Sequence, residues 1–182
     1  MANHIDKTLD SPPPRTRKYY YTTQITFRVL AVAVTLAAAW LMMSNKENTV
    51  VYGIQADARY SYAPAFKFLA VANLIALAFS VVSALLALVL GKVALSPAHF
   101  YIFFLHDLMI TLLLMAACAA SSVVAYIGKY GYDHIGWMAI CDYFAKFCNR
   151  SQAAIILTYL GFALYLLLTL VSANKLLHLH AA

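Results

Sequence analysis

Residues 100–127 read FYIFFLHDLMITLLLMAACAASSVVAYI, an apolar run broken by one carboxylate, Asp107. As an α-helix rising 1.5 Å per residue it would extend about 42 Å, more than the ~30 Å hydrocarbon layer of a bilayer. Three further apolar runs lie at about 25–43, 66–90 and 153–173. A water-soluble bundle needs a polar face on each helix, and the stretches 29–40 and 74–90 have none. The expected fold is therefore an all-α membrane protein, a four-transmembrane-helix bundle with two extracellular loops.

Composition agrees. The chain has 182 residues, of which 64% are hydrophobic and 11% charged. Soluble domains run nearer 45–50% apolar and ~25% charged. That excludes an ordinary soluble enzyme, a disordered chain and a nucleic-acid reader, despite a formal charge of +6. Tyr19, Tyr20, Tyr21, Trp40, Tyr126 and Tyr130 sit near span ends, where an aromatic ring with one polar edge suits the headgroup zone. Ala37–Ala39 offer a signal-cleavage site, but the long polar segment before the run and Arg28 inside it favour an uncleaved span.

Residues 1–24, with Pro12–Pro14 followed by Arg15, Arg17 and Lys18, read as a disordered cytosolic tail. Residues 25–177 form the four-span domain, and 178–182 a short cytosolic tail. The link 91–99 is short, whereas the loops 44–65 and 128–152 are long. Residues 50–59 have β character, enough for a short hairpin. Seven basic residues fall on the terminal side (Lys7, Arg15, Arg17, Lys18, Arg28, Lys92, Lys175) and six on the other (Lys46, Arg59, Lys67, Lys129, Lys146, Arg150). By count the positive-inside rule is nearly silent. The cluster at the first span and the cysteines of the second long loop put both termini in the cytosol.

Arg28 and Asp107 are the intramembrane charges, each a few residues inside the terminal end of its span. Arg28 either snorkels to headgroups or pairs. Asp107 has a short side chain, so it needs a cation or stays protonated. A structural lock between the two is preferred over a proton relay. His106 projects about 100° from Asp107 on a helix and is expected to face lipid or the interface. Cys118, among alanines, reads as a packing residue.

Cys141 and Cys148 form a C-x6-C pair. On the oxidising side of a membrane a disulfide is the default, and it requires a bent loop, since a straight helix would separate the two by about 10 Å. A metal site that recruits His134 is the rival, without C-x2-C spacing or an evident fourth ligand. No metal, cofactor or catalytic set is expected: H-E-x-x-H, G-x-S-x-G and phosphate-binding glycine loops are all absent. The sequon Asn149–Arg150–Ser151 abuts the fourth span and is expected to go unused. Alanines and serines in the spans permit close helix approach, within the bundle or between chains.

Taken together, Arg28, Asp107 within FLHDLMITLLLMAACAASS, the loop YIGKYGYDHIGWMAICDYFAKFCNR and the segment ARYSYAPAFKFLAVAN resemble the Casparian strip membrane domain protein-like (CASP-like) family of plants, type 1 group, distant relatives of MARVEL-domain proteins. The likeness runs from Thr26 to Leu176. It implies that Arg28 and Asp107 are the family's intramembrane pair and that Cys141 and Cys148 are its cystine. It further implies a non-enzymatic plasma-membrane scaffold that associates with itself and with related CASP-like proteins, and that is linked to extracellular cell-wall enzymes. The first long loop lacks the acidic, aromatic-rich segment of Casparian strip members, so the generic scaffold role is what carries over. A small transporter or channel accessory that uses Asp107 is the alternative. Membrane lipid is an expected partner and nucleic acid is not.

Overall fold

A computed structural model describes residues 14–51, 53–90 and 97–181. Helix α1 (Pro14–Met43) leads into a hairpin of β1 (Lys46–Val51) and β2 (Ile54–Arg59), followed by α2 (Pro64–Leu90), α3 (Pro97–Tyr130) and α4 (Ala145–Ala181). Each helix contains a stretch long and apolar enough to cross a membrane: Thr22–Met43, Pro64–Leu85, Tyr101–Tyr130 and Ala145–Asn174.

The helices are longer than the apolar runs. The tail expected to be disordered through residue 24 is helical from Pro14 onward, while residues 1–13 lie outside the described part. Proline suits the first helical turn because its missing N–H has no partner there in any case, and no glycine or proline follows before the span. At the other end, α4 continues to Ala181 through most of the expected 178–182 tail. It also begins at Ala145 rather than near 153, and α3 ends at Tyr130 rather than 127. Hydropathy marks where side chains turn apolar. Polar but helix-competent residues such as Lys146, Arg150 and Gln152 carry the helix beyond that point. The second loop shrinks to residues 131–144. The short link between α2 and α3 falls at 91–96, outside the described residues.

The β character read at 50–59 belongs to a hairpin that begins four residues earlier, at Lys46. Its antiparallel register pairs Lys46 with Arg59 and Val51 with Ile54, and Gly53 takes a φ of 81° at the turn. The bundle is thus helical in its spans with a two-stranded sheet on one loop.

Around the bundle the helices neighbour one another in the order α1–α2–α3–α4, with α4 closing against α1. The core is built largely from small residues: Ala31, Ala38, Ala70, Ala76, Ala117 and Ala154 are buried, with Leu69, Leu114, Leu168 and Tyr165 filling between them. Small side chains let the backbones approach. At Gly161 an added Cβ would lie 3.3 Å from Thr35 Cγ2, which shows how close α4 comes to α1. Ala33, Ala37, Ala116 and Ala119 instead face outward, beside exposed Leu36, Leu112 and Met115. Such apolar exposure suits hydrocarbon and not water.

Candidate functional site: a charged knot and a capped loop platform

Two polar centres organise the molecule, one inside the bundle and one at its loop end. Inside, Arg28 on α1 reaches across the bundle to Asp107 on α3, which is not its neighbour in the ring. Arg28 Nη2 lies 2.8 Å from Asp107 Oδ2 and Nη1 lies 3.2 Å from Oδ1, a two-pronged pairing that suits the planar guanidinium. Nη1 also donates to Ser83 Oγ of α2 at 2.6 Å, and the Ser83 hydroxyl donates to the Ser80 carbonyl. The Phe103 ring lies 5.3 Å from the guanidinium carbon. Arg28 is 3% exposed and Asp107 0%, so neither reaches solvent or headgroups. Arg28 in this geometry does not snorkel: its charge is turned inward. One turn further along α3, Thr111 Oγ1 approaches Thr169 Oγ1 of α4 at 3.5 Å. All four helices therefore meet at this level.

His106 departs from its expected place. Its Nδ1 sits 3.1 Å from Asp107 Oδ1 and its ring lies 5.4 Å from that of Phe79, leaving the residue 20% exposed. Two adjacent helical residues diverge at Cβ, yet an imidazole is long enough to fold back along the helix to its neighbour's carboxylate.

The second diagonal, α2 to α4, is tied as well. Asn73 Nδ2 donates to Thr158 Oγ1 at 2.9 Å, and Tyr165 OH donates to the Ala76 carbonyl at 3.1 Å. Both diagonals of the bundle thus carry hydrogen bonds through its axis, which satisfy donors that hydrocarbon would leave unpaired, although Asn73 Oδ1 is buried without a partner among the described residues.

At the loop end, the buried Asn45 Nδ2 donates to the Phe147 carbonyl and to Ser151 Oγ, both at 2.8 Å. Glu47 Oε2 of β1 accepts the Phe147 N–H at 2.7 Å. A carboxylate there satisfies one of the orphan amides in the first turn of α4 and complements the positive end of its dipole. The hairpin is thereby bolted to the start of the fourth helix. Residues 131–144 fold back on α3, where the Gly128 carbonyl accepts the Ile140 and Cys141 amides at 2.9 and 3.1 Å. Gly131, with a φ of 72°, lies so near this loop that a Cβ would meet the Trp137 carbonyl at 2.7 Å. This return brings Cys141 to Cys148 in the first turns of α4, bonded with a Cα–Cα distance of 5.7 Å. His134 stands apart, its ring 5.8 Å from that of Tyr132, and among the described residues no three His, Cys, Asp or Glu side chains converge as metal ligands. Cys118 is buried inside α3. Asn149 is exposed on α4, while Ser151 of its sequon is buried and engaged by Asn45.

A match to the Casparian strip membrane protein domain covers residues 18–164, and so takes in both polar centres. The chain belongs to the CASP-like family. It is 44% identical over 175 residues to CASP-like protein 1F1 of Vitis vinifera, covering 96% of this chain and 85% of the relative. It is 41% identical to CASP-like protein 1F1 of Populus trichocarpa, over 96% of this chain and 97% of the relative. The Ricinus communis CASP-like protein 1F1 is 40% identical over 99% of both chains. No solved structure matches the chain. With four apolar helices in a CASP domain, this is a multi-pass membrane protein.

Within this CASP-like domain the polar residues that sequence reading passed over include Asn45, Glu47, Asn73, Thr158 and Tyr165, while Ser83 counted only as a small packing residue. Asn73 left a usable signal, since an amide in the middle of an apolar span is costly unless it faces a partner. Asn45 and Glu47 left none, because their partners on α4 lie 102 and 100 residues away.

On the exposed side of the hairpin, Asp57 accepts hydrogen bonds from Tyr62 OH and Arg59 Nε, both at 2.8 Å. These bonds, Tyr62's first, hold the Asp57 carboxyl below its ordinary 3.8, and the bond to Asp57 raises the Tyr62 phenol above its ordinary 10.0. The contact is complete between those limits. It is lost as pH falls through the lowered Asp57 value or rises through the raised Tyr62 value. A phenolate absorbance difference between wild type and Tyr62→Phe should titrate above 10.0 and move back toward it in Asp57→Asn. An unmoved midpoint would refute the contact.

Proposed function

We propose that this protein is a non-enzymatic plasma-membrane scaffold. It associates with itself and with related CASP-like proteins to organise a membrane domain, with ties to cell-wall modification through its extracellular loops; both termini are cytosolic. The observation that carries this reading is the way polar groups of the spans are spent. Arg28, Asp107, Ser83, Asn73, Thr158 and Tyr165 bond to one another or to helix carbonyls across the bundle axis. That arrangement suits a rigid body better than a conduction path, which needs polar groups lining a route. Membership of the CASP-like family supports the same reading. Arg28–Asp107 acts as its structural lock, and the Cys141–Cys148 bridge holds the second loop as a surface for partners.

Two differently tagged copies expressed together should co-purify, and a fluorescent fusion should recover slowly after bleaching in the plasma membrane. A freely diffusing monomer that captures neither a second copy nor a CASP-like relative would overturn the proposal. The alternative, a transporter or channel accessory, draws on His106, whose Nδ1 meets Asp107 while its buried Nε2 lacks a partner among the described residues. That reading requires Asp107→Asn to abolish a pH-dependent flux while assembly survives.

A further inference from the structure

Beneath the hairpin lies a partly open cavity of about 370 Å³, between β2, the start of α2, the end of α3 and the start of α4. Its walls are mostly apolar, with Phe66, Val124, Ile140, Phe144 and Phe147 among the lining side chains. The cystine forms part of the wall, so the loop that it closes is also the cavity's lid on that side. Ligand sites in proteins run from ~300 to 1,000 Å³ and combine such walls with a few polar groups.

Three features identify the occupant. The first is depth. Phe66 and Val124 belong to membrane-spanning stretches, whereas Arg59 lies outside them and Lys129 at the very end of one, so the cavity straddles the edge of the hydrocarbon layer. The second is the wall. Polar side chains such as Ser151 and Gln152 are a minority of the lining, and apolar surface at the membrane edge is better covered by hydrocarbon than by water. In a bilayer, the apolar material at hand is an acyl chain. The third is the rim. Asp57 is taken up by Arg59 Nε and Tyr62, which leaves both terminal nitrogens of Arg59 without a partner among the described residues. Lys129 lies over the Tyr130 ring at 5.4 Å with no carboxylate within salt-bridge distance among the described residues, although Asp142 borders an adjoining hollow. Two cations over an apolar pocket at the membrane edge match a phosphate joined to a hydrocarbon tail.

We propose that this cavity holds one phospholipid from the leaflet at the loop end, an acyl chain between α2, α3 and α4 and the phosphate against Arg59 and Lys129. Bound in this way, the lipid becomes a component of the loop platform. The full-length chain is reconstituted in nanodiscs of phosphatidylcholine and phosphatidylglycerol, transferred to detergent, and its retained lipid measured by native mass spectrometry. Wild type should keep one phospholipid per chain. Val124→Trp, which narrows the cavity, should retain about tenfold less, and Arg59→Gln with Lys129→Gln several-fold less. Ala125→Leu, a smaller filling on the same wall, repeats the test if the tryptophan variant does not fold. Inorganic phosphate alone should not raise the melting temperature, because it leaves the apolar walls empty. A wild type without bound lipid would overturn the proposal. So would equal retention in the narrowed variants, or a non-phosphate amphiphile or peptide in place of the lipid.

Discussion

Asp107→Asn and Arg28→Ala should each destabilise the bundle by about 3–5 kcal/mol, the cost of stranding one member of a buried ion pair. Arg28 would lose its counter-ion in a site where it is 3% exposed, and only neutral groups would remain to receive it: Ser83, the Phe103 ring and the oxygen of the new amide. Asp107 without Arg28 would retain His106 as its neighbour but lose both prongs of the guanidinium. The charge swap, Arg28→Asp with Asp107→Arg, should recover folded yield better than either single change, because one long side chain still spans the α1–α3 diagonal. Replacing both by apolar residues, Arg28→Met with Asp107→Leu, should cost less than either single change, since no charge is left unpaired. Yield of monodisperse protein and resistance to denaturing detergent report these differences. Equal loss in all variants would argue that the residues act separately rather than as a lock.

The second large effect belongs to the loop platform. Cys141→Ser with Cys148→Ser should remove about 2–3 kcal/mol, the chain-entropy value for closing so short a ring. The loss should be local. Amides of Ile140 and Cys141, held by the Gly128 carbonyl, should exchange faster, while those around Arg28 and Asp107 stay protected. The hairpin should keep its attachment to α4, which runs through Asn45 and Glu47 and not through the cystine. Exchange rates unchanged along residues 131–144 would show that the loop is held without the bond. Impermeant thiol reagents should label the two cysteines from outside the cell only after reduction, which tests the sidedness of the loops in the same experiment.

The spans were legible because hydrocarbon imposes a rule on each residue in turn: an apolar run of ~20 residues is rarely found outside a bilayer. The helix ends were less so. Pro14, Ala145 and Ala181 lie outside the apolar runs, and hydropathy is blind to a helix that continues into polar surroundings. Arg28 and Asp107 stood out because each is costly in a membrane on its own account. Ser83 did not, since a serine in a span can satisfy itself on a nearby carbonyl at little cost. The placing of His106 beside Asp107 ran against the angular rule for adjacent helical residues, which describes Cβ directions and not the reach of an imidazole.

By itself, then, the sequence determined that this chain lives in a bilayer as four helices, and which two charges would be expensive there. Both are properties of single segments measured against one solvent. The tertiary structure decided what those segments do to one another. It set Arg28 and Asp107 across a diagonal rather than between neighbouring helices, tied the other diagonal through Asn73 and Tyr165, and used Glu47 to cap a helix that begins almost a hundred residues later. Such pairings depend on helix order, rotation and depth. Those are set by how small residues let the backbones close together, and no local pattern in the chain records them.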